Sequence, residues 1–205
     1  MSIESNIVYI LDDDAAIRDA LSVLVRSIAL RAIECASADE FLQCFEPERG
    51  GCLVTDVYIP GMDGVALQKR LMQTGVHIPM IVMSGHGDIP LVVKMLRNGA
   101  LDFIEKPFSN HHMLERILEA LKLDAERRTQ LQGIAEHQYH YDTLTPREKQ
   151  VADYLVRGVS NKVIAADMDV SPRTIEAHRA HIFQKMKASS AVDLARIISS
   201  IRTDF

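Results

Sequence analysis

Short apolar runs alternate with longer segments of helical periodicity through the first 122 residues of the chain. The runs predict strands, the second of them weak, at Ile7–Leu11, Arg31–Cys35, Cys52–Asp56, Ile78–Met83 and Ala100–Ile104. The segments between and after them predict helices at Ala15–Ser27, Ala38–Cys44, Val65–Gln73, Pro90–Asn98 and His111–Lys122. Five strands that alternate with five helices predict an α/β fold built on a doubly wound parallel sheet.

Chemically reactive side chains follow the predicted strands. Asp12 and Asp13 come after the first strand, and Asp56 ends the third. Ser84 follows the fourth strand, and Lys106 follows the fifth. Because ligands of open α/β sheets bind beyond the carboxyl ends of the strands, we expect these residues to meet at one edge of the sheet.

Three carboxylates at one edge would repel one another unless a cation lay between them. An oxygen-only cluster of this kind suits Mg²⁺, or Mn²⁺ in its place. A carboxylate can also act as a nucleophile that forms an acyl-phosphate, and the transferred group then needs positive charge near its oxygens. Lys106 is placed to supply that charge, and the Ser84 hydroxyl is placed to donate a hydrogen bond.

The segment 124–141 is polar and shows no strand signal, so we interpret it as a helical linker. Its sparse apolar residues keep an approximate helical phase with the preceding helix, and Gly133 is a weak point within it. Whether the linker is one continuous helix stays open at this point.

Residues 142–205 predict a small all-α domain. Four helices are expected, at Pro146–Arg157, Asn161–Met168, Pro172–Lys187 and Ala191–Ile201. Thr145 and Glu148 have the spacing of a capping box at the first helix. A short turn separates the second helix from the longer third one, which is the pattern of a helix-turn-helix whose second helix enters the major groove of DNA.

The motifs LDDD, TDVYIPGMDG, VMSGHGD and GALDFIEKPF resemble the receiver domain of two-component response regulators, a flavodoxin-like fold, over residues 5–122. We therefore delimit a receiver domain at 1–123. The resemblance implies that Asp56 is the phosphoacceptor. It also implies a metal site formed by Asp12, Asp13, Asp56 and the carbonyl of Tyr58.

The same resemblance gives further residues a function. It makes Ser84 the switch hydroxyl, Phe103 the aromatic side chain that changes rotamer on activation, and Lys106 the lysine that pairs with the phosphoryl group. The Lys106–Pro107 bond would be cis.

The motifs LTPRE, SNK and SPRTIE resemble the LuxR-type output domain, so the whole chain is similar to the FixJ/NarL class of response regulators. The resemblance implies a set of candidate groove-facing residues, namely Arg173, Glu176, Ala177, Ala180 and His181. It also implies candidate phosphate contacts at Asn161, Lys162, Thr174, Arg179, Lys185 and Lys187.

These resemblances predict a transcriptional regulator, with activation favoured by the likeness to FixJ, and no enzyme beyond its own phosphoryl transfer and dephosphorylation. The expected partners are a sensor histidine kinase, double-stranded DNA with two-fold related half-sites, and RNA polymerase. The phosphorylated chain is expected to form a homodimer.

Composition agrees with this division of the chain. Residues 1–123 carry 11 Lys and Arg against 17 Asp and Glu, whereas residues 142–205 carry 10 against 8. The acidic part suits a divalent cation, and the mildly basic part permits phosphate contacts. Three cysteines without metal-ligand spacing, no signal-peptide pattern and no apolar run of about 20 residues predict a cytoplasmic protein with no membrane partner.

Two alternatives to this function remain at the level of the sequence. The first is a hydrolase with a nucleophilic aspartate, because residues 12–14 contain the Asp-x-Asp spacing of haloacid-dehalogenase-like phosphatases. The second is an adaptor that receives a phosphoryl group and docks a protein, instead of DNA, through its helical half.

Overall fold

The computed structural model describes residues 7–59, 61–85 and 89–202. The chain divides into two compact units, the first ending at Arg128 and the second beginning at Thr129. Each unit has a hydrophobic core of its own.

The described part of the first unit contains a five-stranded parallel sheet of order β2-β1-β3-β4-β5. Its strands are β1 Ile7–Leu11, β2 Arg31–Cys35, β3 Gly51–Asp56, β4 Met80–Ser84 and β5 Asp102–Glu105. The predicted α/β doubly wound sheet is therefore confirmed. The last two strands begin two residues later than predicted, and for β4 the reason is that Pro79 has no amide hydrogen for the ladder.

Helices cover both faces of the sheet. They are α1 Ala15–Arg26, α2 Ala38–Cys44, α3 Gly64–Gln73, α4 Ile89–Arg97 and α5 Asn110–Asp142, with a short 3₁₀ turn at Pro47–Arg49. One core joins the sheet to α2, α3 and α4. The other joins the opposite face to α1 and the first part of α5.

Gly51 allows β3 to lie against β1. A Cβ atom at this position would lie 2.2 Å from the carbonyl oxygen of Ile7, and the backbone has a φ of +150°. Since only glycine combines that conformation with so close an approach, the register that carries Asp56 to the end of β3 depends on it.

The helix α5 is continuous through Gly133, which answers the question that the sequence left open. Its residues just after 123 still bond to the first unit. The Asp124 carboxylate accepts the Gly51 amide hydrogen at 2.9 Å, and Arg127 donates to the His77 carbonyl at 2.7 Å. The first unit therefore uses residues that the sequence places in the linker.

Among the residues described from Thr129 onward, four helices follow α5. They are α6 Pro146–Val156, α7 Asn161–Asp167, α8 Pro172–Lys185 and α9 Ala191–Arg202. The predicted capping box of Thr145 and Glu148 is present at α6, and the Ser171 hydroxyl caps α8. Helices α7 and α8 form the predicted helix-turn-helix, and no helix in the described ranges has the length and apolarity needed to cross a membrane.

Candidate functional site

The end of β1 carries the buried carboxylate of Asp12, whose side chain is 1% exposed. Its Oδ1 atom accepts the Asp14 amide hydrogen at 2.9 Å, and its Oδ2 atom accepts a hydrogen from Lys106 Nζ at 2.7 Å. Asp14 in turn caps α1 by accepting the Ala16 amide hydrogen. The carboxylate is thereby fixed on both sides.

The end of β3 carries Asp56, whose side chain is 17% exposed. Its Oδ1 atom accepts the Tyr58 amide hydrogen at 3.0 Å, and its Oδ2 atom accepts a hydrogen from Lys106 Nζ. The ammonium group of Lys106 is therefore shared by Asp12 and Asp56. Asp56 is the more accessible of the two carboxylates, so it is the one that an incoming group can approach.

The shared lysine stays protonated in this position. Burial of the ammonium favours a lower pKa for Lys106, but the hydrogen bonds and charges of Asp12 and Asp56 outweigh burial and raise the pKa above its usual value. A permanent positive charge thus lies between two carboxylates, where a phosphoryl oxygen would also need it.

Ser84 and Phe103 lie on one face of the sheet, because Ser84 pairs with Glu105, two residues after Phe103. Ser84 is fully buried, and its hydroxyl donates to the Gly85 carbonyl at 3.0 Å. Phe103 is half-buried and packs against the core that joins the sheet to α2, α3 and α4. The Lys106–Pro107 peptide bond is cis, as the resemblance implies.

The side chain of Asp13 is exposed, unlike those of Asp12 and Asp56. Within the described ranges, no group of three or more His, Cys, Asp or Glu side chains stands ready to hold a metal ion. The oxygens of Asp12 and Asp56 nevertheless converge on a single cation, Lys106. Asp12 and Asp56 already share one cation, and Asp13 follows Asp12 in the chain. Their carboxylate oxygens are the kind of ligand that Mg²⁺ prefers.

Arg18, on α1, is a residue of this site that the sequence analysis missed. Its Nη1 atom donates to the carbonyl of Asp12 at 2.7 Å and to the carbonyl of Asp13 at 2.9 Å. The signal in the sequence was a single arginine six residues after Asp12, which is too common on a helix to indicate this contact.

The second unit presents a separate candidate interface on α8. Ile175 and Ile182 are buried on the inner side of the helix, and the positions that face away from them are exposed. The exposed candidates are Arg173, Thr174, Glu176, Ala177, Ala180 and His181. Arg179 is half-buried and lies over the Phe183 ring at 5.0 Å, while Asn161 and Lys162 begin α7.

Two of the candidate phosphate contacts already have carboxylate partners. Lys185 bonds to Glu148 at 2.7 Å and to the Thr143 carbonyl at 3.2 Å. Lys187 bonds to Glu136 at 2.8 Å. Lys185 therefore stabilises the packing of α8 on the start of α6, and part of the positive charge of both lysines is already balanced by a carboxylate.

Comparison with known families identifies a domain in each half of the chain. Residues 8–118 match the family described as "Response regulator receiver domain", and residues 142–198 match "Bacterial regulatory proteins, luxR family". The chain belongs to the response regulators that join a receiver domain to a LuxR-type DNA-binding domain. A receiver implies a sensor kinase as partner, and this family favours a DNA-binding output over the hydrolase alternative.

Similar proteins extend over nearly the whole chain. It is 43% identical over 203 residues to the response regulator protein TodT of Pseudomonas putida, covering 98% of this chain and 89% of TodT. It is 42% identical over 194 residues to the transcriptional regulatory protein FixJ of Azorhizobium caulinodans, covering 95% and 92%. The solved structure of the response regulator StyR matches with a TM-score of 0.86 at 35% identity, covering 95% of this chain and 98% of StyR.

Proposed function

We propose that Asp56 accepts a phosphoryl group from a sensor histidine kinase, and that this modification controls DNA binding by residues 142–205. The observation that carries the proposal is the single ammonium of Lys106, which Asp12 and Asp56 share. One unit thus carries a nucleophile beside a fixed cation, and the other carries a helix-turn-helix with an exposed second helix.

In the transfer step, an Asp56 carboxylate oxygen forms a bond to phosphorus as the bond between phosphorus and the donor nitrogen breaks. Lys106 moves from a carboxylate oxygen to a phosphoryl oxygen and neutralises part of its charge. Asp12, Asp13, Asp56 and the Tyr58 carbonyl are the groups that would hold Mg²⁺ or Mn²⁺. When bound, that cation supplies the remaining positive charge on the phosphoryl oxygens.

Activation then follows from a change on one face of the sheet. Ser84 and Phe103 move toward the phosphoryl group and rearrange α4 and β5. Residues 1–123 then form a homodimer, which pairs two output domains on DNA half-sites related by two-fold symmetry. Residues 124–141 join the two domains, and the dimer activates transcription through RNA polymerase in the cytoplasm.

Selection from random double-stranded DNA tests the output function. The chain treated with acetyl phosphate should enrich a sequence with two-fold symmetry, and the logarithm of its affinity should fall linearly with the logarithm of salt concentration. Arg173→Ala should weaken binding by about 1–3 kcal/mol if Arg173 contacts a base. Arg196→Ala, which removes an exposed arginine from α9 that pairs with Asp193, is the control and should retain binding.

Failure to enrich any DNA sequence would support the adaptor alternative and overturn the proposed output. Equal losses in Arg173→Ala and Arg196→Ala would also contradict it, because a general loss of positive charge would then explain the effect without a groove-reading helix.

A further inference from the structure

The side chain of Arg18 bonds to the backbone of the acidic loop, residues 12–14, which follows β1. The amide hydrogen of Asp12 still bonds to β2, through the Cys35 carbonyl at 3.3 Å, and the chain then turns into α1. Arg18 Nη1 donates to both carbonyls of this turn, those of Asp12 and Asp13, at 2.7 and 2.9 Å. One nitrogen with two hydrogens thus fixes two successive peptide groups, and the positive charge strengthens both bonds.

We propose that Arg18 is a positioning residue for the divalent cation of the receiver, an inference that rests on the proposed function. The carbonyls it holds belong to the two residues whose side chains would contact that cation. Asp12 is already fixed by Asp14 and Lys106, whereas the Asp13 side chain is exposed. Arg18 therefore acts mainly on Asp13, by fixing the backbone from which that side chain extends.

Whether removal of Arg18 weakens or tightens cation binding distinguishes a positioning function from a simple effect of its charge. A guanidinium near a cation site repels the cation, so its removal should tighten cation binding if charge alone mattered. If Arg18 instead holds the loop in the binding geometry, its removal should weaken binding. Partners that orient metal ligands typically change metal affinity by about 10- to 100-fold when they are lost.

Arg26 provides a matched control on the same helix. Its side chain is 61% exposed and pairs with Glu34 at 3.4 Å, one residue before Cys35 and outside the acidic loop. Arg18→Gln and Arg26→Gln both remove one positive charge from α1. Only Arg18→Gln removes the bonds to the loop, because the glutamine amide ends short of the position of Nη1.

The experiment measures Mn²⁺ binding to the full chain by electron paramagnetic resonance of the free ion, without any phosphoryl donor. We expect Arg18→Gln to bind Mn²⁺ about tenfold more weakly than the wild type, and Arg26→Gln to bind within about twofold of it. Equal or tighter binding by Arg18→Gln would overturn the inference.

If circular dichroism shows that Arg18→Gln does not fold, Arg18→Lys serves as a second variant for the same measurement. It keeps the charge but loses the planar donor geometry, so we expect weaker Mn²⁺ binding than in the wild type. Wild-type affinity in Arg18→Lys would overturn the inference. No Mn²⁺ binding by the wild type would instead contradict the metal site of the proposed function, and the inference with it.

Discussion

At the scale of single residues, the receiver site depends on a balance of charge around Lys106. Two carboxylates from β1 and β3 share its ammonium, and the more accessible of them, Asp56, has its other oxygen bonded to the Tyr58 amide. The carboxylate that we propose as the phosphoacceptor is thus oriented before any donor arrives. A group that replaces one of the lysine's carboxylate partners finds a positive charge already in place.

Tyr58 follows Asp56 by two residues and is 56% exposed. We predict that its side chain restricts the water that hydrolyses the phosphoryl-aspartate. Tyr58→Ala should therefore shorten the lifetime of the acyl-phosphate by roughly threefold, because excluded water protects reactive intermediates. The measurement is the loss of the phosphoryl mass with time, and Tyr139→Ala, an exposed tyrosine of α5, is the control. An unchanged lifetime in Tyr58→Ala would show that the side chain does not limit hydrolysis.

At the scale of elements, α8 is held at its end by Glu148. This buried carboxylate bonds to Lys185 and to the Thr145 amide at 2.7 and 2.8 Å. Burial favours a higher pKa for Glu148, but these hydrogen bonds outweigh it and lower the pKa below its usual value of 4.5. A lowered pKa in the folded state means that the stabilisation is present above pH 4.5 and is lost as the pH falls through the folded-state pKa.

We predict that Glu148→Gln lowers the stability of the second unit by about 2 kcal/mol at neutral pH, because it removes the negative charge that pairs with Lys185 while the glutamine amide oxygen can still accept the Thr145 amide hydrogen. The difference from the wild type should shrink as the pH falls through the lowered folded-state pKa of Glu148, where the wild-type carboxyl also becomes protonated. Hydrogen exchange of α6 and α8 in the full chain measures this, with Glu176→Gln, an exposed glutamate on α8, as control. Equal protection at neutral pH, or a difference that grows in acid, would contradict the prediction.

Much of the element pattern could be predicted from the sequence, since a buried parallel strand appears as a continuous apolar run. The continuity of α5 could not. A glycine destabilises a helix by about 1 kcal/mol relative to alanine. In a polar segment, a continuous helix and a helix interrupted at the glycine therefore differ little in free energy. Gly133 lies within the helix, where an added Cβ would have nothing within 4 Å.

The contacts of charged residues were the least predictable part of the site. Lys185 and Lys187 were expected to contact DNA phosphates, yet their partners Glu148 and Glu136 lie 37 and 51 positions earlier in the chain. Arg18 was missed because its acceptors are backbone carbonyls, which no residue type reveals. Strand ends predict where a site lies, whereas only the folded chain shows which charges are already paired.

At the scale of the whole molecule, the two parts of the chain differ in charge: residues 1–123 carry 11 Lys and Arg against 17 Asp and Glu, whereas residues 142–205 carry 10 against 8. The first unit contains the carboxylates and the shared lysine, and the second contains the exposed helix of the helix-turn-helix. A receiver joined to a LuxR-type domain connects them in one chain. Since the units are separately compact, a change in the association of the first can alter DNA binding by the second without remodelling its core.

The most direct test of this account is the intact mass of the chain with and without acetyl phosphate and Mg²⁺, coupled to size-exclusion chromatography. The wild type should gain one phosphoryl group and shift to the size of a dimer. Asp56→Asn should gain nothing and keep its size. A phosphoryl group that persists in Asp56→Asn, or a wild type that gains none, would contradict the claim that Asp56 is the phosphoacceptor.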